Sequence, residues 1–375
     1  MKTTLLRRKI DRIARIVQQR FGIDTVLLVD RYSIDYLFAE AYSLPEGALV
    51  LATIVDCRTL STTALVYVLD FYRIRDLYSD CSDILRLIPV ARNIKVDVGV
   101  ETVEDWRSWI KKRIEKLCLA VDKPQMVQDV VKECRGIVDI SNVISTIRRI
   151  KMPEEIERIA KAYTIACRAL EATVSEISKG MTEQQIAGIL EAKARELGAE
   201  GFAFSTIVAI GENSSYPHHI PTTRRFNGDE VILIDFGVRV DGYSSDVTRV
   251  LVPSKCSEIL DKVRIVSEAI DHALRSIAIG KEFEEIDKAA RSYLEEKGFS
   301  PKFIHGLGHG IGVYVHEEPR VAPGSKQLVV AGDVFTIEPG IYLEHRFGIR
   351  IEEGIAVTLD GVRVLSSSLP RTLEV

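Results

Sequence analysis

A chain of 375 residues suits two domains, or one large one, each able to bury a core. Hydrophobic residues make up 46% and charged residues 28%, ordinary globular usage. The net charge of −4 argues against a nucleic-acid partner, and no apolar run reaches the length of a membrane span.

The opening MKTTLLRRKIDRIARIVQQR is basic, lacks the apolar centre of a secretory signal and reads as an amphipathic helix. Strand-length apolar runs follow at 26–30 (VLLVD), 48–55 (ALVLATIV), 64–70 (ALVYVLD) and 94–98 (IKVDV). Helical patterns such as VEDWRSWIKKRIEKL at 103–117 lie between them, so residues 1–140 are expected to form an α/β domain. The six cysteines (Cys57, Cys81, Cys118, Cys134, Cys167, Cys256) are scattered without a C-x-x-C, which favours reduced thiols and a cytoplasmic setting. Only four Asn and seven Gln are present, a hint of a heat-adapted source against which the cysteines weigh.

A second domain is expected over 141–375. Pro153 opens a long helical pattern with acids just behind it, and Gly180 stops it. Thr182 and Gln185 form a capping box for the next helix. Strands and turns follow to Ser254. The order then repeats: a helix over 256–279, Gly280, a helix over 283–297, Gly298, and strands to the end. At an offset of 100, Gly180, Ile186, Glu196 and Gly198 match Gly280, Ile286, Glu296 and Gly298, which suggests an internal duplication.

Three segments carry the chemistry. In EVILIDFGVRVDGYSSDVTRVLV (230–252), Asp241-Gly242 is a strong hairpin signal, and a two-residue loop makes residue i face residue 483 − i. Asp235 and Asp246 are then diagonal neighbours on one face. Solvated acids on an outer face would be the ordinary reading of such a pair. Asp235 sits between VILI and Phe236, however, so the strand reads as buried on both sides and a bound cation is favoured. In DVFTIEPGIYLEHRFGIRIEEGIAVTL (333–359), Glu338 ends an apolar strand and Glu352 lies in GIRIEEG, while Glu353 should face the other way. In FIHGLGHGIGVYVHEEP (303–319), glycine alternates with other residues around His305 and His309. The spacing lacks the G-x-G-x-x-G step of a phosphate loop, so a glycine-lined strand beside a crowded centre is the better reading. His316 has the opposite parity to His305 and His309, so a bend must intervene if all three serve one site. Four carboxylates and one imidazole make a hard, oxygen-rich set suited to more than one divalent ion.

These motifs, IDFG…DGYSSDVTR, HGLGHGIG…HEEP, TIEPGIY and GIRIEEG, resemble the pita-bread metallopeptidases: methionine aminopeptidase, aminopeptidase P and prolidase. The match runs from about Ile147 to near the C-terminus. The resemblance implies a creatinase-like N-terminal α/β domain and an α+β pita-bread catalytic domain with a pseudo-twofold duplication. It makes Asp235, Asp246, His309, Glu338 and Glu352 ligands of two divalent ions (Mn, Co, Zn or Fe). It implies amide hydrolysis by a cation-activated water, with Glu338 moving the proton. His218, His305 and His316 are then expected to meet the substrate or the developing oxyanion. His218 is preferred over its neighbour His219 because it directly follows Pro217. Arg350 is expected beside the metal carboxylates, and Arg320 at a dipeptide's free carboxylate. The N-terminal domain resembles the one that prolidases and aminopeptidases P carry, which points to an Xaa-Pro dipeptide or short peptide as substrate and to a homodimer. Cleavage of longer Xaa-Pro peptides is the alternative. A non-catalytic binding module and a creatinase-like amidinohydrolase are the remaining readings; the five intact ligand positions count against the first.

Overall fold

The computed structural model describes residues 2–41, 50–253 and 257–374. Residues 48 and 49 of the strand expected at 48–55, and residue 256 of the helix expected at 256–279, lie outside them. The chain divides into two compact units, Met1–Arg148 and Arg149–Val375.

The first unit is a mixed sheet with helices. Its strands are β1 (Thr25–Leu28), β2 (Val50–Asp56), β3 (Thr62–Tyr67), β4 (Leu85–Val90), β5 (Cys118–Val121) and β6 (Gly136–Asp139), in the order β4-β3-β2-β1-β5-β6. Its helices are α1 (Lys2–Phe21), α2 (Arg31–Leu37), α3 (Val68–Leu77), α4 (Trp106–Ile114), α5 (Gln128–Val131) and α6 (Ser141–Arg149), the last running into the boundary. Leu27, Val29, Leu65, Trp106, Ile110 and Leu119 belong to its core. Two expected strands are corrected. The run 64–70 is divided, because β3 ends at Tyr67 and α3 begins at Val68, burying Phe71 and Ile74 at helical spacing. The run 94–98 is not a strand; Ile94 is exposed, and the sheet instead takes LRLIPV as β4. Pro89 weakens that stretch as a strand signal, yet β4 is an edge strand, where a missing N–H is tolerated.

The second unit is built twice. The first pass is α7 (Pro153–Val174), α8 (Glu183–Glu196), β7 (Gly201–Phe202), β8 (Ile207–Ile210), β9 (Ile232–Phe236), β10 (Val238–Val240), β11 (Tyr243–Ser244) and β12 (Val247–Val252). The second is α9 (Ser257–Ser276), α10 (Phe283–Glu296), β13 (Gly308–Gly310), β14 (Glu317–Val321), β15 (Val334–Ile337), β16 (Gly340–Leu343), β17 (Phe347–Arg350), β18 (Glu353–Thr358), β19 (Gly361–Val364) and β20 (Thr372–Glu374). The sheets run β11-β10-β7, β20-β12-β9-β8, β14-β13-β15-β18-β19 and β16-β17.

The duplication seen in the sequence recurs as a shared turn. Gly180 and Gly280 both take positive φ, at 94° and 90°. Gly180 N donates to Phe226 O, and Gly280 N donates to Val329 O. Each glycine precedes a capping box, in which Gln185 Oε1 accepts from Thr182 N and Glu285 Oε1 accepts from Glu282 N. Single bridges Thr182↔Arg225 and Glu282↔Leu328 close the two turns. Each helix pair covers its own apolar cluster, one around Ile165, Leu170, Ile186 and Ile234, the other around Ile270, Ile286, Phe335 and Ile355.

Candidate metal centre

The acidic hairpin has the expected register. Val240 faces Tyr243, Phe236 faces Val247 and Asp235 faces Thr248. Asp241 and Gly242 both have positive φ, as a tight two-residue hairpin turn requires. The ribbon is not continuous, however: β9 and β12 belong to one sheet, β10 and β11 to another. The break lies at Gly237, where a Cβ would strike the carbonyl of Ser245. Only glycine lets the chain close up there, and Asp246 stands just before β12 with its side chain buried.

The second repeat supplies the other candidates. Glu338 follows β15 and Glu352 precedes β18, so both acids sit where a strand has just ended or is about to begin. His309 is carried by β13. A Cβ on Gly308 would collide with the Thr336 carbonyl, so this strand approaches β15 through bare backbone, and His309 N donates to Thr336 Oγ1 at 3.2 Å. The bend required before His316 is present. The β13–β14 register shifts between His309 and Gly310, and the rings of His309 and His316 lie 4.4 Å apart.

Asp246, His309 and Glu352 form the tight group, each offering a ligand atom within 4.8 Å of the others. His309 Nε2 lies 3.4 Å from Glu338 Oε1 and 3.6 Å from Asp246 Oδ2. Asp235 joins from the side, its Oδ2 taken by Arg350 Nη2 at 2.6 Å. Asp235 Oδ1, Asp246 Oδ1 and Glu352 Oε1 are buried and have no hydrogen-bond partner among the described residues. Orphaned carboxylate oxygens in an interior are costly, and divalent cations would satisfy them. Burial first, then mutual repulsion, pushes the Asp246 and Glu338 carboxyls well up, and the same causes push Glu352 to about 8. The donor set therefore fits divalent cations of the oxygen-preferring to borderline kind.

The imidazoles are prepared for lone-pair chemistry. Burial lowers His309 and His305 to about 4, and lowers His316 as well, so the rings are neutral near pH 7. His309 Nδ1–H donates to Gly310 O at 3.2 Å, which leaves the Nε2 lone pair facing the acids. His305 Nδ1–H donates to Gly306 O at 2.8 Å, and its Nε2 accepts from Tyr342 Oη at 3.0 Å. Tyr342 Oη in turn accepts from Arg350 Nη1 at 2.9 Å. Arg350 is buried and also donates to Thr248 Oγ1 at 3.2 Å and Pro217 O at 3.3 Å. Thr248 Oγ1 itself donates to Glu352 Oε2 at 2.9 Å. A continuous network of hydrogen bonds thus links His305, Tyr342, Arg350, Asp235, Thr248 and Glu352. Tyr342 and Thr248 escaped the sequence reading, although Tyr342 lies in the quoted TIEPGIY and Thr248 follows Asp246 by two.

A cavity of about 730 Å³ opens onto the acid cluster. His218, His305, His316, Arg320 and Arg350 line it with the five candidate ligands, beside Phe204, Ile207 and Ala322. His218 and His219 lie in a turn and not in a strand, and they are used differently: His219 Nε2 bonds Glu183 Oε2 at 2.8 Å. Glu353 faces away, as strand alternation requires, and pairs with Arg249 and Arg371.

Comparison with known proteins agrees with this geometry. The model of "Metallopeptidase family M24" matches residues 157–359. A curated relative, the Xaa-Pro dipeptidase of Pyrococcus furiosus, is 38% identical over 239 residues, 64% of this chain and 68% of its own length. Among solved structures, an X-Pro aminopeptidase from Thermotoga maritima superposes with a TM-score of 0.83 at 29% identity, covering 98% of this chain and 99% of that one. The prolidase from Pyrococcus furiosus gives 0.77 at 29% identity, over 94% and 98%. The two-domain fold, the metal-fitting acid cluster and the match across more than half of the chain lead to one conclusion: this chain belongs to metallopeptidase family M24.

Proposed function

We propose that the chain hydrolyses the Xaa-Pro bond of dipeptides, using two divalent cations held by Asp235, Asp246, His309, Glu338 and Glu352. The observation that carries this reading is one cavity with the acid cluster on its floor and Arg320 on its wall. A guanidinium lining the same cavity as the acid cluster suits a substrate whose free carboxylate follows the scissile bond. Apolar Phe204, Ile207 and Ala322 offer a wall for the proline ring.

Bound cations would supply Lewis acidity, lowering the pKa of water and polarising the scissile carbonyl. The chain's residues do the rest. Glu338, a carboxyl already pushed upward, takes the proton of the attacking water and passes it to the leaving nitrogen. His316 and His218 bond the carbonyl oxygen as charge develops on it. Arg350 and Thr248 hold Asp235 and Glu352 in place.

The likeness to the Thermotoga X-Pro aminopeptidase, with its higher TM-score, favours a second reading in which longer Xaa-Pro peptides are cut. Ala-Pro and an Xaa-Pro pentapeptide, offered separately to protein loaded with Mn²⁺, discriminate between the two. The dipeptide should be the better substrate by kcat/KM. A clear preference for the pentapeptide would transfer the assignment to an aminopeptidase.

A further inference from the structure

Glu183 is the first residue of α8, and its side chain is fully buried. Its Oε1 accepts from Ile210 N and Asn213 Nδ2, both at 2.8 Å. Its Oε2 accepts from His219 Nε2 at 2.8 Å, Thr222 N at 2.8 Å and Thr222 Oγ1 at 2.6 Å. Burial would raise such a carboxyl. The donors from Thr222, His219, Ile210 and Asn213 outweigh it and hold Glu183 below the ordinary range, so it remains an anion that only accepts. The positive end of the helix dipole favours the same state.

The donors bracket His218 on both sides, with Asn213 before it and His219 and Thr222 after it. From the other direction the segment is held by the site itself: Ser214 Oγ accepts from Gly348 N at 2.8 Å, and Pro217 O accepts from Arg350 Nη1 at 3.3 Å. His218 is therefore on a tether whose inner end is one buried carboxylate. The second repeat fastens its own histidine loop in a related way. Buried Asp287 of α10 accepts from Leu307 N at 3.0 Å, and its partner Arg291 donates to His305 O at 2.9 Å.

We infer that Glu183 is a positioning residue for the reaction: through His219 and Thr222 it fixes the segment 213–222 so that His218 presents its ring to the cavity. This rests on the hydrolytic reading above, in which His218 meets the substrate. Gln at this position keeps the shape but fails chemically. Every contact is a donor, so the amide nitrogen must face at least two N–H or O–H groups whichever way it turns.

The test is a double-mutant cycle on Xaa-Pro hydrolysis with metal content measured alongside. Glu183→Gln should lower kcat/KM about 10- to 100-fold, the scale of a misplaced catalytic group, while bound metal per chain stays at the wild-type level. On a His218→Ala background the same change should cost less than about 2-fold, because the two residues act as a unit. Wild-type activity in Glu183→Gln, or a loss that adds in full to that of His218→Ala, overturns the inference. If Glu183→Gln does not fold, His219→Ala should show the same His218-dependent loss and His219→Gln, which keeps a donor, should recover most of it. Hydrogen exchange reads the tether without any substrate. Faster exchange confined to 211–222 in the variant supports it even if wild-type protein cleaves no Xaa-Pro peptide, and unchanged exchange there refutes it.

Discussion

Three acids of the cavity, Asp246, Glu338 and Glu352, and three of its imidazoles, His305, His309 and His316, have burial as the largest influence on their protons. The acids are held up and the histidines down, so the metal-free site carries protons where ligand charge is needed. Glu352 shows the sign. Its carboxyl sits at about 8 against an ordinary 4.5, so between those values the folded chain holds a proton that the unfolded chain has released. Stability of the metal-free protein should therefore fall as pH rises through that window. Cation uptake, which must displace the proton, should strengthen toward pH 8. Melting temperatures across pH 5–9, with and without Mn²⁺, check both; a flat metal-free profile would contradict the assignment. Asp246→Ala or Glu338→Ala should reduce turnover at least about 10³-fold and Asp246→Ala should also lose bound metal by elemental assay, whereas near-wild-type rates would remove those residues from the centre. These acids were legible because residue type and strand parity survive in sequence. Tyr342, Thr248 and Glu183 were not, because each acts through partners 36 to 104 residues away that only the fold brings near.

At the scale of elements, the strands hold the acids through close backbone packing and buried arginines, Arg249 among them. Arg249 of β12 is fully buried and donates to Glu353 Oε2 at 3.0 Å, Pro370 O at 2.8 Å, Leu369 O at 3.1 Å and the carbonyl of Glu352. Glu353 is shared with Arg371, which also reaches Asp271 at 2.8 Å. The network ties β12 to the start of β18 and fixes the backbone from which Glu352 projects. Arg249→Met would take one donor from Glu353, which keeps Arg371, and leave several buried carbonyls without theirs, at a cost of about 3–5 kcal/mol. Chemical denaturation should register that loss, and a variant as stable as wild type would show the network to be dispensable. The hairpin register was readable because Asp-Gly fixes the loop length and everything downstream follows. The division of 64–70 and the strand at 85–90 were not. A short apolar run suits strand or helix equally, and an edge position excuses a proline that a central strand would reject.

Over the whole second unit, the site is shared between the repeats. Asp235 and Asp246 come from the first, and His309, Glu338 and Glu352 from the second. Neither repeat holds the candidate ligand set alone, so cations bound there stabilise the joined form and not its parts. The order helix, helix, strands was visible twice in the sequence, and the paired turns at Gly180 and Gly280 show that the halves repeat in geometry as well. What sequence spacing left open was how the two acidic segments meet. Pairing between distant strands decides it, with Thr248 facing Asp235 and its hydroxyl reaching Glu352. The measurement that bears most directly on the account is proline release from Ala-Pro by purified protein, assayed after chelation and again after loading with Mn²⁺ or Co²⁺. Metal-free protein should show no turnover, and loading should restore hydrolysis with two cations retained per chain. Undiminished hydrolysis after complete chelation, or intact Ala-Pro in the presence of fully loaded protein, would contradict it.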